Sequence, residues 1–183
     1  MGQDKALLKL NGRLLIEHAR DVTKNLTEKV VFVGAVERYS LFGTTIPDTF
    51  PDCGPLGGIH AGLQFSDTDF NLFLSVDTPF IPLKFLRYLF AEAQRSQATV
   101  TYPVVNGHYQ PLCAIYRQAF LLLAEAALQQ RNYKIEPLFH KTSSRVIDEI
   151  ELMKLGLSPS AFDNLNTTAD WQQAQKRMKD QNV

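Results

Sequence analysis

The sequence predicts an α/β fold with a mostly parallel sheet, on three observations. Residues 29–34 (KVVFVG) and 70–76 (FNLFLSV) are short, nearly continuous apolar runs, the pattern of strands buried on both faces. Segments with apolar residues at helical spacing stand between such runs, and clusters of Gly, Pro and Asp punctuate the changes. No repeat, low-complexity tract or linker divides the 183 residues, which predicts one domain over 1–183.

In chain order, residues 6–10 form a short apolar run closed by the turn pair Asn11-Gly12. Leu14, Leu15, His18, Val22 and Leu26 then recur at helical spacing. The strand at 29–34 follows, and a second short strand at Ile46 runs into Pro47-Asp48. The stretch 44–58, dense in Pro and Gly, reads as a working loop, with a helical pattern over 59–65 after Gly58. The strand 70–76 is stopped by Asp77-Thr78-Pro79, and Pro82 starts a helix carrying Phe85, Leu86, Leu89, Phe90 and Ala93 on one face. Residues 98–105 and 112–117 read as strands flanking Asn106-Gly107, with Pro103 arguing for an edge or a short strand. A helix over 119–128, a strand over 145–150, and a terminal helix capped by Thr168 and running to about Lys179 complete the series. One antiparallel pair is expected in the second half.

Composition narrows the function classes. Lys plus Arg and Asp plus Glu both number 19, so the net charge is 0 and no general field draws the chain to nucleic acid or membrane. No apolar run reaches the length of a membrane span, and residues 1–20 carry Asp4, Lys5, Lys9, Arg13 and Glu17 where a signal peptide needs an apolar core. Cys53 and Cys113 lack the spacing of a metal clip or redox pair, which fits a reducing compartment and predicts a cytoplasmic protein. The four histidines share no metal-ligand spacing, and the hydrolase elbow, phosphate loop and dinucleotide fingerprint are all absent.

In open α/β sheets ligands gather beyond the carboxyl ends of strands. Asp77 stands there, after the strongest strand, as either a hard oxygen ligand for Mg²⁺ with nucleotide phosphates or a cap on the following turn. Asp48 ends the preceding strand at the same edge, as an acceptor for a base or ribose or as the head of an Asx-turn. Gly54, Pro55, Leu56, Gly57 and Gly58 place three glycines before a helix, where backbone amides meet a ligand closely or simply form a turn. Lys5 on its own reads as a solvated charge, and Asn164 and Asn166 as alternating amides in an extended segment or as loop caps. Asp67-Thr68-Asp69 precedes its strand rather than following it and reads as a solvated loop. Arg131, Lys134, Lys141 and Arg145 are either a solvated face or a meeting place for an anionic ligand or a partner.

Taken in order, MGQDKALLKLNGRLLIEH, IPD, GPLGGIHAGL, SVDTPFIP, NGHYQPLCAIYR and FDNLNTTADW resemble the molybdenum cofactor guanylyltransferases of the nucleotidyltransferase superfamily, over almost the whole chain. The resemblance implies a Rossmann-like three-layer α/β/α fold of the nucleotide-diphospho-sugar transferase type, mostly parallel with an antiparallel strand. It implies transfer of GMP from GTP to molybdopterin or its molybdenum form, with release of pyrophosphate and formation of the guanine dinucleotide cofactor. Lys5 then corresponds to the lysine on the nucleotide phosphates, Asp77 to the Mg²⁺ ligand, and Asp48 to the acidic residue near the guanine nucleotide. Gly54 through Gly58 correspond to the loop lining the nucleotide, with Gly57 where the family often has Ala. Asn164 and Asn166 correspond to the amides facing the pterin, with Thr168 and Ala169 replacing the usual Pro-Glu. Partners by the same resemblance are GTP, molybdopterin and, transiently, molybdoenzyme maturation proteins.

Family members open with a strand and Gly-rich loop, roughly LAGGxSxRMG, and Met1-Gly2 match its end. The expectation is therefore an N-terminally truncated domain that binds GTP poorly and leaves sheet edge or core surface open where that strand belongs. Rival readings are transfer from CTP, transfer to a sugar phosphate, and a degenerate protein that binds nucleotide or pterin without catalysis.

Overall fold

The computed structural model describes residues 4–180, so the Met1-Gly2 correspondence lies outside the described residues. A 3-10 turn (Lys5–Leu7) leads into the hairpin β1 (Lys9–Leu10) and β2 (Arg13–Leu14), then α1 (Leu15–Lys24), β3 (Val31–Val33), α2 (Val36–Tyr39) and β4 (Thr44–Ile46). Next come α3 (Pro55–Phe65), β5 (Phe70–Leu74), α4 (Leu83–Ser96), β6 (Val100–Val105), β7 (His108–Tyr109) and β8 (Cys113–Arg117). The chain continues with α5 (Phe120–Gln129), α6 (Glu136–Phe139), β9 (Ser144–Ile147), α7 (Glu149–Lys154), a second 3-10 turn (Pro159–Phe162) and α8 (Thr168–Asp180).

β8 lies between β5 and β6 and runs antiparallel to both, so β5 and β6 point the same way, and β9 adds to β6 in parallel. β3 and β4 form a separate parallel pair. The structure thus has more antiparallel pairing than the one pair expected: β8 runs against β5 and β6, and β7 also pairs antiparallel with β6. The side chains of β8 alternate, as a strand buried on both faces requires. Ala114 and Tyr116 enter a core with Leu56, Ile59, Tyr102 and Phe120, while Cys113 and Ile115 enter another with Phe85, Leu86, Ile147 and Phe162. Helices α3 and α5 cover the first face and α4 and α7 the second, which gives the three layers.

Between the β3–β4 pair and the free edge of β5 runs an apolar slot of about 1130 Å³, lined in part by Val31, Phe32, Leu72 and Phe73. Because of it every residue of β3 and β5 is only half-buried, although both sequences read as strands buried on both faces.

Three segments differ from expectation. α3 begins at Pro55, so Gly57 and Gly58 are helical rather than loop, with Pro at the first helical position where its missing N–H costs nothing. The strand expected over 145–150 is β9 up to Ile147 and α7 from Glu149. Asp148 breaks it by a capping box: its side chain accepts from Glu151 N–H, and Glu151 reaches back to the Asp148 N–H. Finally, Thr167 rather than Thr168 caps α8, its Oγ1 accepting from Asp170 N–H at 3.2 Å.

A third cluster joins distant parts of the chain. Leu10 and Leu15 from the N-terminal hairpin and α1, Leu165, and Ala174 from α8 are buried together, with Val76, Phe80 and Trp171 packed on them. Burying side chains such as Leu10 and Leu15 stabilises by roughly 1.5–3 kcal/mol each. This contact brings Lys5, Asp77 and Asn166 to one place.

Candidate functional site

Ser75 N–H donates to Leu112 O at 2.8 Å, extending the β5–β8 ladder by one residue before the chain turns away at Asp77. The Asp77 carboxylate is then held on both oxygens. Ser75 Oγ donates to Oδ1 at 2.5 Å and Lys5 Nζ to Oδ2 at 3.0 Å. Lys5 Nζ also donates to Asn166 Oδ1, and Leu165 N–H donates to Asp77 O at 2.9 Å, so backbone and side chains tie the two loops together.

Lys5 is aimed from behind by Asp4. The Asp4 carboxylate accepts from Ala6 N–H at 3.1 Å, capping the first 3-10 turn, and from Arg38 at 3.1 Å. Tyr39 Oη donates to both Asp4 oxygens, at 2.9 and 2.8 Å. Burial first, and the Asp4 carboxylate second, push the Tyr39 hydroxyl up to about 12.

Asp48 forms the Asx-turn, its Oδ1 accepting from Phe50 N–H at 2.8 Å. Its carboxylate lies against Gly57, where a Cβ would stand 2.8 and 2.9 Å from the two Asp48 oxygens and 2.7 Å from Phe50 O. Gly57 is thus the contact that lets this loop sit on the first turn of α3. Gly54 precedes the helix at φ 64° with open space around it. Leu56 is fully buried in the core, so its side chain packs instead of lining a site. Among the described residues no hydrogen bond joins Asp48 and the residues from Gly54 to Gly58 to the group of Lys5, Asp77 and Asn166.

Asn164 and Asn166 line one polar cleft of about 460 Å³, walled by Phe80, Phe162 and α8. There the Arg177 guanidinium lies 4.2 Å from the Phe80 ring centroid and donates to Ser160 O at 2.8 Å. Sequence reasoning missed Ser75, Tyr39 and Asp170, each of which holds one of the predicted residues or its loop. The signal for Asp170 was present as Thr167-x-x-Asp170, the spacing of a capping box.

Other charged groups fall outside the site. Asp67 pairs with Lys29 and Asp69 with Arg117, as a solvated loop would. Arg145 leaves the basic cluster, since it is bound between Glu92 and Glu151.

No group of three or more His, Cys, Asp or Glu side chains is placed to hold a metal among the described residues. A Mg²⁺ ion needs no such cage: it keeps several waters and takes one or two carboxylates with substrate phosphates. Asp77, whose side chain is 16% exposed at the strand end, fits that demand as a single carboxylate ligand.

Both the sequence and the fold have relatives. Residues 1–146 match the model of the MobA-like NTP transferase domain. The chain belongs to the MobA-like NTP transferase family. It is 31% identical to the molybdenum cofactor guanylyltransferase of Vibrio parahaemolyticus, covering 91% of this chain and 83% of that protein. Identity to the molybdenum cofactor guanylyltransferase of Vibrio cholerae is 32%, covering 91% and 80%. The fold is that of molybdopterin-guanine dinucleotide biosynthesis protein A from Archaeoglobus fulgidus, with a TM-score of 0.85, 23% identity and coverage of 98% and 92%. It is also shared, at TM-score 0.70 and 13% identity over 96% and 94%, with the 2-C-methyl-D-erythritol 4-phosphate cytidylyltransferase of Thermus thermophilus. The family match includes Lys5, Asp48, Asp77 and the residues from Gly54 to Gly58, while Asn164 and Asn166 lie beyond it.

Proposed function

We propose that this chain transfers GMP from GTP to molybdopterin or its molybdenum form, releasing pyrophosphate and yielding the guanine dinucleotide cofactor. The observation that carries the reading is the convergence of Lys5, Asp77 and Asn166 beyond the carboxyl end of β5. The names of the Vibrio relatives point the same way.

In this reading an oxygen of the pterin phosphate attacks the α-phosphorus of GTP. The new P–O bond forms as the bond from the α-phosphorus to the bridging oxygen breaks, and the electron pair leaves with pyrophosphate. A phosphate nucleophile is already ionised near neutral pH, so no general base is needed. Catalysis is then alignment and charge neutralisation. Lys5 offsets charge on the phosphates, Asn164 and Asn166 face the pterin across their cleft, and Asp48 with the first turn of α3 borders the nucleotide. Asp77 is the residue that holds Mg²⁺, which when bound supplies Lewis-acid stabilisation of the phosphate oxygens. Two free thiols, Cys53 and Cys113, suit the reducing cytoplasm as the place of this reaction. Transient contact with molybdoenzyme maturation proteins completes the reading.

The test is Mg²⁺-dependent pyrophosphate release from GTP, CTP and ATP with molybdopterin present, with Asp77→Ala as control. GTP-selective release lost in the control supports the proposal. CTP-selective release replaces it with the cytidylyl reaction, and no release from any nucleotide replaces it with a binding protein.

A further inference from the structure

We infer that Asp170 is a positioning residue that holds the Asn166 loop against Lys5, an inference that rests on the proposed nucleotidyl transfer. A capping box at a helix start ordinarily serves only the helix. Here its carboxylate does more. A single oxygen, Asp170 Oδ2, accepts from Thr167 N–H at 2.7 Å and from Asn166 N–H at 3.0 Å. Thr167 Oγ1 closes the box by accepting from Asp170 N–H.

The second of those bonds lies outside the helix, on the residue whose side chain meets Lys5. From Asp170 the series runs through the Asn166 backbone to Asn166 Oδ1, to Lys5 Nζ, and to Asp77 Oδ2. On the other side Leu165 is fixed by its N–H to Asp77 O and by burial with Leu10 and Leu15. Asn166 is therefore pinned at its own N–H by Asp170 and, through its neighbour, by Asp77. The Asn166 N–H also donates to Asn164 O at 3.2 Å, a bond inside the same loop; without Asp170 that local bond and the anchoring of Leu165 remain, nothing ties Asn166 to α8, and its amide loses its aim. The Asp170 carboxyl is held below the usual range by the hydrogen bonds from Thr167 first and Asn166 after them, with the Lys5 charge contributing last. It therefore accepts both bonds throughout the neutral range.

Asn at position 170 keeps an oxygen able to accept both N–H groups, whereas Ala removes it. In the pyrophosphate-release assay Asp170→Ala is expected to lower kcat/KM for molybdopterin about tenfold or more while leaving KM for GTP within about twofold. Asp170→Asn is expected to restore most of the loss. In an Asn166→Ala background Asp170→Ala is expected to cost nothing further, because what it positions is already gone. A full additional loss in that background, or failure of Asp170→Asn to rescue, overturns the inference while leaving the proposed reaction intact. If the unaltered protein releases pyrophosphate from no nucleotide, the proposed reaction fails, and the Lys5 side-chain ¹⁵N resonance decides the inference alone. A shift in Asp170→Ala equal to that in Asn166→Ala upholds it, and an unmoved resonance overturns it.

Discussion

Lys5 Nζ stands 3.0 Å from Asp77 Oδ2 although 72 residues separate them in the chain. The pair is local only because the hairpin before α1 and the turn after β5 share one apolar cluster with α8. It is also partly open, the side chains being 35% and 16% exposed, so its worth to folding is small, below about 1 kcal/mol. Lys5→Ala should therefore unfold at nearly the same denaturant midpoint as the unaltered protein while losing about 100-fold or more in kcat. Asp77→Asn should combine a similar loss with an end to Mg²⁺ dependence, read as activity that chelation by EDTA no longer changes. A large stability loss in Lys5→Ala with normal kcat would assign the pair to structure instead.

Gly57 and Gly58 are adjacent in α3 yet should respond oppositely to Ala. A helix ordinarily gains up to about 1 kcal/mol from Gly→Ala. At Gly58 the added Cβ meets only Val33 Cγ1, at 4.0 Å, so that gain should appear in denaturant unfolding. At Gly57 it would stand 2.7 Å from Phe50 O and under 3 Å from both Asp48 oxygens, and a backbone carbonyl cannot swing aside as a side-chain tip does. Gly57→Ala should destabilise by about 1–3 kcal/mol and raise KM for GTP through displacement of Asp48. Equal stability for the two variants would refute this account.

What was legible in the sequence was periodicity. The apolar run over 112–117 reads locally as a strand, although its division between two cores shows only in the fold, and the one-sided helix carrying Phe85, Leu86, Leu89 and Ala93 is a local pattern too. Asp77 was legible because a charged residue after seven mostly apolar ones must leave the sheet. The half-exposure of Phe70–Leu74 was not, since it depends on the slot beside β5 and composition does not encode what lies next to a strand. Lys5 carried no signal by itself; its meaning lies in a contact across 72 residues, which only the resemblance supplied. The start of α3 was misplaced because glycines read as loop, and here helix geometry is kept by Pro55 and by packing of Leu56 and Ile59.

Tyr39 should be felt at Lys5 without touching it. Its hydroxyl donates to both oxygens of Asp4, the residue that caps the turn bearing Lys5, and it is raised to about 12 by burial and by that carboxylate. Because the folded value lies above the unfolded one of 10.0, its contribution is fully present below pH 10.0 and is lost as pH rises toward 12. Tyr39→Phe should cost about 1–2 kcal/mol at neutral pH, show a shallower alkaline loss than the unaltered protein, and lower kcat several-fold. An unchanged alkaline limb in urea titrations would remove the hydroxyl from this role.

On the acid side the corresponding group is Glu151. Arg145 donates to both of its oxygens, Tyr88 Oη donates to Oε1 at 2.7 Å, and Arg145 also binds Glu92 through Nε at 2.8 Å. The Arg145 hydrogen bonds above all, opposed by burial and aided by Tyr88, lower the Glu151 carboxyl from 4.5 to about 2. A depressed folded value gives stability that is present above pH 4.5 and lost as pH falls toward about 2. Unscreened, that difference is worth ~3 kcal/mol; with the side chain 23% exposed, about 2 is expected. Glu151→Gln should therefore be less stable at pH 7 by about 2 kcal/mol and should lose less on acidification, the two stability curves converging toward pH 2. Because Glu151 anchors α7 to β9 and α4 and lies outside the Lys5–Asp77 group, its kcat should be unchanged where the protein is folded. Curves that stay parallel from pH 7 to 2 would show that the Arg145 pairing contributes nothing to acid stability.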